Sequence, residues 1–139
     1  MIVVDTNVVS ELLRPMPAPE VLDWLRGQPS TSLFITTVTH AEIRFGIAIL
    51  AAGQRRDALD ALASSILNED FAGQSLTFDE VAASFFATIA ADRRSQGRPI
   101  SQFDAQIAAI TRSRGATLAT RNIRDFTDCG ISLVNPWQP

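Results

Sequence analysis

Apolar positions recur at two periods along the chain, and the switching between them predicts strands alternating with helices. Ile2 to Val4 is a β-branched run ending at Asp5, followed by Thr6 and Asn7 as candidate caps and then Val8, Val9, Leu12 and Leu13 at helical spacing. Three prolines between Arg14 and Pro19 demand a loop, after which Pro19 opens a helix carrying Val21, Leu22 and Leu25. Ser32 to Thr37 reads as a second strand. Thr37 or Thr39 then caps a helix with Glu42 in its first turn and Ile43, Gly46, Ile47 and Leu50 on one face. Gly53 is expected to end that helix, and Leu59, Leu62, Ala63 and Ile66 form the next stripe, so residues 40 to 67 resemble a helical hairpin.

Leu76 to Phe78 is a short strand candidate. Asp79 caps a helix with Val81, Ala82, Phe85, Phe86 and Ile89, ended by Gly97. Beyond the loop Arg98-Pro99-Ile100, Ser101 caps a helix with Ile107, Ala108 and Thr111 that stops near Gly115, and Asp104 falls in its first turn or just beyond. Thr117 to Thr120 and Ile131 to Val134 supply two last strands, separated by the polar residues Asn122, Arg124, Asp125 and Asp128. The order implies an α/β fold with a short, largely parallel sheet of about five strands flanked by helices.

Composition narrows the class. A length of 139 residues, 46% hydrophobic and 19% charged, fits one globular domain spanning residues 1 to 139. Its apolar runs are too short to span a bilayer, and the opening Met1-Ile2-Val3-Val4-Asp5 lacks the basic start of a secretion signal, so a cytoplasmic protein is expected. With one cysteine, Cys129, and one histidine, His40, there is no soft ligand set for zinc, and any metal must be held by oxygen. All twelve basic residues are arginine, which excludes every mechanism that needs a catalytic lysine. A net charge of -3 offers no global attraction for a polyanion, so nucleic acid would require a local basic patch.

Three acids stand out by position. In an open parallel sheet ligands sit beyond the carboxyl ends of the strands. Asp5 ends the first strand there, and Glu42 and Asp104 lie near helix starts that can share the rim. Three carboxylates together repel one another, whereas a divalent cation stabilises them all in ionised form. Oxygen ligands suit magnesium or manganese, which keep positions open for a phosphate oxygen and a water, so phosphodiester hydrolysis is the natural chemistry. An acid in a first helical turn also complements the helix dipole, and for Glu42 or Asp104 alone that reading prevails. Asp5 differs, because burial at the end of an apolar strand is costly without a partner.

The segments Ile2-Val3-Val4-Asp5-Thr6-Asn7-Val8, Thr39-His40-Ala41-Glu42-Ile43-Arg44-Phe45-Gly46, Asp104 before Ile107-Ala108-Ala109, and Thr120-Arg121-Asn122 with Asp125-Phe126 follow one another in a specific order and spacing. Together they resemble the PIN-domain ribonucleases, and among them the VapC-type toxins of bacterial toxin-antitoxin pairs. The ending Asn135-Pro136-Trp137 is similar to the FitB-like branch. The resemblance implies a PIN-like three-layer fold, a magnesium or manganese ion bound by Asp5 and Asp104, and Glu42 completing the acidic pocket. It implies supporting hydroxyls at Thr6, orienting the first acid, and at Thr120. Where the family often carries a fourth acid this chain has Asn122, so either Asn122 bonds a water on the metal or Asp125 takes that place. The implied activity is endoribonucleolytic cleavage of RNA. Implied partners are a second copy of the chain and a VapB-like or FitA-like antitoxin, with operator DNA reached only through the antitoxin. The alternative is a PIN-like subunit with little nuclease activity that acts with its antitoxin as a DNA-binding repressor, and the neutral Asn122 is its best support.

Other polar and aromatic residues carry less. Arg44, or Arg93 with Arg94 and Arg98, are in sequence range to steer phosphates, but a solvated helix end explains the latter group as well. His40 reads as a polar helix-start residue, and Trp24 and Trp137 as core or interface aromatics. A receiver domain needs a lysine and a haloacid-type phosphatase needs an acid where Asn7 stands, so neither fits; no lysine-bearing phosphate loop is present either.

Overall fold

The computed structural model describes residues 1–139 and carries five parallel strands with six α-helices. Strand β1 (Ile2–Val4) lies at the centre of the order β3-β2-β1-β4-β5, with β2 at Leu33–Thr36, β3 at Ser75–Leu76, β4 at Thr117–Ala119 and β5 at Ser132–Val134. Ile2 and Val3 pair with Leu33 and Phe34 on one side and with Thr117 and Leu118 on the other. The chain therefore builds outward from β1 through β2 to β3, and then returns to the far side of β1 for β4 and β5. That reversal puts a topological switch point at the carboxyl end of β1, where Asp5 follows Val4.

Successive residues of a strand face opposite sides, and β1 uses both. Val3 belongs to a core formed with Ala82 and Ile89 of α5 (Glu80–Ser95) and with Ile107 to Ile110 of α6 (Gln102–Ser113). Val4 faces a second core built from Val8 and Val9 of α1 (Thr6–Leu12), Val21 of α2 (Pro19–Arg26), Ile43 and Ile47 of α3 (Thr37–Ala48), and Ala63 of α4 (Gln54–Ser64). The result is three layers, with both faces of the sheet covered, as parallel strands require.

Several boundaries differ from the sequence expectation, each for a local reason. Helix α1 is capped by Asp5 itself, whose Oδ1 accepts the Thr6 amide at 2.8 Å, and not by Thr6 or Asn7. Helix α3 is capped by Thr36, whose hydroxyl accepts the Thr39 amide at 3.1 Å. The earlier start places Glu42 in the second turn of α3 rather than the first. Gly53 does not end α3. It precedes α4 with φ 156°, a backbone conformation suited to glycine, while α3 has already stopped at Ala48. Strand β3 covers Ser75–Leu76 and excludes Phe78, because the chain turns at Asp79, whose Oδ1 accepts the Ala82 amide at 3.0 Å to begin α5. The hairpin of α3 and α4 is present, and α4 runs on into a wider π turn at Ser65–Asp70.

Candidate active site

Asp5 is 4% exposed and sits where β1 hands over to α1. Its Oδ2 accepts the Thr120 hydroxyl at 2.8 Å and the Asn7 side-chain amide at 3.2 Å. Thr120 follows β4 and is itself buried; its Oγ also accepts from Asn7 Nδ2 and from the Asn122 backbone amide, both at 3.1 Å. One hydroxyl thus donates to the acid and accepts twice, which saturates it. No buried side-chain nitrogen or oxygen in the protein lacks a hydrogen-bond partner.

Glu42 reaches toward the same place from α3. Its Oε1 accepts the Thr6 hydroxyl at 2.8 Å, and that hydroxyl lies 2.9 Å from Thr39 Oγ1. The Thr6 side chain therefore orients Glu42, not Asp5 as expected; Asp5 receives only the Thr6 backbone amide. Asp104 stands in the first turn of α6, with its amide donating to Ser101 Oγ at 3.2 Å. Asp5, Glu42 and Asp104 all line one cleft of about 550 Å³, together with Thr6, Asn7 and Asn122.

The electrostatics of this cleft are those of uncompensated negative charge. Burial pushes the Asp5 carboxyl up from 3.8 to about 6, against the Thr120 and Thr6 hydrogen bonds that favour its ionised form, and the charges of Asp104 and Glu42 add to the rise. Glu42 is raised by burial and then by Asp104, with the Thr6 bond opposing. Asp104 is raised chiefly by burial, with Ser101 opposing, the charge of Asp125 adding to the rise and that of Arg93 working against it. None of the three takes part in an ion pair. Their donor chemistry fits a hard divalent cation. No three acid, histidine or cysteine side chains converge closely enough to enclose an ion by themselves. An ion bound here would take one or two carboxylates directly and water for the remainder, the usual habit of magnesium.

Between the two candidates for the fourth position, the cleft is lined by Asn122 and not by Asp125. Asp125 is exposed on the 3-10 turn Ile123–Phe126 and acts on Asp104 only through its charge. Neither arginine group weighed from sequence reaches the cleft. Arg44 folds back onto Asp60 at 3.3 Å and Ser64 at 2.9 Å. Arg93 is 5% exposed and donates to the carbonyls of Arg98, Asp125 and Thr127 at 2.8, 2.8 and 3.2 Å, while Arg98 pairs with Asp128.

Sequence reasoning missed four contributors. Asn7 fixes Asp5, and its place in the Asp-Thr-Asn run was the available signal. Glu11, 4% exposed, accepts the Ala18 amide at 2.9 Å and so ties α1 to the start of α2; an acid three residues after Val8 on the buried face was its signal. Arg121 and Trp137 both line the cleft, and Trp137 also packs on the core around Val4, so it is more than the expected core or interface aromatic.

Known proteins resemble this chain along its whole length. The chain is 39% identical to the plasmid stability protein StbB of Pseudomonas syringae pv. tomato, covering 99% of each chain. It is 37% identical to the VapC ribonuclease Y4jK of Sinorhizobium fredii, over 100% of this chain and 99% of that one. Toxin FitB of Neisseria gonorrhoeae is 38% identical over 99% of each. Among solved structures, FitAB bound to an IR36 DNA fragment superposes with a TM-score of 0.92 at 34% identity, over 100% of this chain and 97% of its counterpart. The family model described as PIN domain matches residues 2–130, which hold every acid of the cleft, and with the full-length relatives it establishes that this chain belongs to the PIN-domain family.

Proposed function

We propose that the protein is a divalent-metal-dependent endoribonuclease and the toxin half of a toxin-antitoxin pair. The observation that carries this reading is the buried Asp5, raised to about 6 and lining with Glu42 and Asp104 a cleft in which none of the three acids forms an ion pair. The likeness to a VapC ribonuclease and to toxin FitB supports RNA as substrate and toxin as role.

Asp5 and Asp104 would hold a magnesium or manganese ion, which supplies activation of a water for in-line attack on phosphorus and neutralises charge on the phosphoryl oxygens. The chain's own residues prepare that site. Thr120 and Asn7 lock the Asp5 carboxylate in one orientation, and Thr6 does the same for Glu42. Asn122, neutral where a further acid would add repulsion, offers an amide to a phosphate oxygen or a water at the cleft wall.

The solved relative FitAB is bound to a DNA fragment, which supports a FitA-like or VapB-like antitoxin for this chain and DNA reached through it; a homodimer as the working unit is proposed on the resemblance alone. No helix is long and apolar enough to cross a membrane, and the proposed site of action is the cytoplasm. Two cores sharing one sheet support reading residues 1–139 as one domain.

The test is cleavage of a mixed RNA pool by purified, antitoxin-free protein with magnesium or manganese, beside a chelator control and Asp104→Ala. Cleavage that disappears in both controls is expected. A folded wild-type protein that leaves RNA intact with either metal would overturn the proposal.

A further inference from the structure

The acidic cleft is lined by two arginines, Arg14 and Arg121, against the carboxylates of Asp5, Glu11, Glu42 and Asp104. Arg14 is already committed, with Nη1 at 3.3 Å from Glu11. Arg121 enters none of the protein's ion pairs, and its guanidinium carbon lies 5.0 Å from the centre of the Trp137 ring, within cation-π range.

Both partners of this stack are held from behind. The Trp137 amide donates to Asn135 Oδ1 at 2.9 Å, Pro136 is buried, and the indole rests on the core around Val4 and Val8. On the other side the Arg121 amide donates at 3.3 Å to Asn7 Oδ1, and Asn7 Nδ2 is the group that donates to Asp5. A single asparagine thus sets the register between the exposed arginine and the buried acid. Stacking occupies the face of a guanidinium and leaves its in-plane N–H donors free, in a fork that matches two phosphate oxygens. In a chain of net charge -3, a pre-positioned and unpaired cation at the cleft rim weighs heavily in capturing a polyanion.

We propose that Arg121, positioned by the Trp137 ring, binds a backbone phosphate of the RNA strand beside the one being cleaved, so that the Asn135-Pro136-Trp137 ending serves substrate capture. The inference rests on the ribonuclease reading. Arg121 touches substrate, and Trp137 is a positioning residue that acts through it.

The experiment measures kcat and KM for RNA cleavage over a salt series, together with anisotropy of a fluorescein-labelled single-stranded RNA in chelator. Wild type is compared with Arg121→Ala, Arg121→Lys, Trp137→Phe and Trp137→Ala. Arg121→Ala should raise KM on the order of 10-fold with kcat nearly unchanged, and lower the slope of log affinity against log salt by about 0.7, the value for one phosphate contact on a single strand. Arg121→Lys should restore the slope but not the full affinity, Trp137→Phe should stay near wild type, and Trp137→Ala should fall between. An Arg121→Ala protein with wild-type KM, anisotropy and salt slope overturns the inference while leaving the nuclease standing. Wild-type protein that binds RNA without cleaving it overturns the nuclease reading alone, and the anisotropy series still judges Arg121. Protein that neither cleaves nor binds overturns both.

Discussion

Asp5 and Arg93 are both charged, both about 5% exposed or less, and both have their polar atoms hydrogen-bonded, yet they are buried for opposite ends. Arg93 turns its guanidinium onto three backbone carbonyls and the sulfur of Cys129, stitching the end of α5 to the loop after β4. Its donors are consumed by the fold. Asp5 accepts three hydrogen bonds, but none comes from a cation, and the charges that act on it are those of the acids Asp104 and Glu42. Satisfying hydrogen bonds is therefore different from compensating charge, and the residue left uncompensated is the one that opens onto the cleft.

The sharpest way to break this contrast is Asp5→Asn, which keeps the shape and removes the charge. RNA cleavage should fall on the order of 10³-fold or more, equivalent to about 4 kcal/mol of transition-state stabilisation. Circular dichroism should meanwhile show an intact fold. An active Asp5→Asn enzyme would mean that the site lies elsewhere.

Arg93→Ala should do the reverse. Removing this buried guanidinium and its three carbonyl bonds is expected to cost about 3 kcal/mol of stability, read as a lower urea midpoint. Residual folded protein should retain its metal affinity. A variant of wild-type stability would show that Arg93 is not the staple described.

Titration separates the two residues again. In the folded chain Asp5 titrates near 6 and in the unfolded chain near 3.8, so between these values the folded state holds the extra proton. The stability this contributes is fully present below about pH 4, declines as pH rises through 6, and is absent above; the loss amounts to roughly 3 kcal/mol. Glu42 and Asp104, also raised, act with the same sign. Melting in chelator from pH 4 to 7.5 should show wild type losing stability relative to Asp5→Asn, and magnesium should restore wild type alone. Parallel curves for the two proteins would contradict the buried, uncompensated charge.

The smallest expected effect is at Thr120→Val, which removes the hydroxyl from Asp5 but leaves all charges in place. Metal affinity should weaken about 10-fold to 100-fold, measured by calorimetry, with the pH trend of stability preserved and the Asp5 carboxyl moved further upward. An unchanged affinity would assign the orientation of Asp5 to Asn7.

Local features of this protein were legible in the chain. Strand β1, the caps at Asp79 and Ser101, the alternation of strands with helices and the acids Asp5, Glu42 and Asp104 all follow from signals that act within a turn or two. Caps fell one to three residues from expectation at Asp5 and Thr36, because several adjacent hydroxyl and acid side chains compete for the same amides and only one has the extended backbone the position needs.

What lay beyond the sequence was pairing across the fold. The bond from Thr120 to Asp5 spans 115 residues and that from Asn7 to Thr120 spans 113; both exist because β4 lies beside β1, an adjacency no local pattern encodes. The same holds for Arg93, two of whose three carbonyl partners lie more than thirty positions away, for Asn122 taking the cleft wall that Asp125 does not reach, and for the stack of Arg121 on Trp137. By itself the sequence determined which residues are acids at strand and helix ends, since propensity and capping are short-range. Only the tertiary structure decided which of them share a cleft, which charges stay unpaired, and which arginine faces them, because burial and charge compensation depend on neighbours that the sheet order brings together.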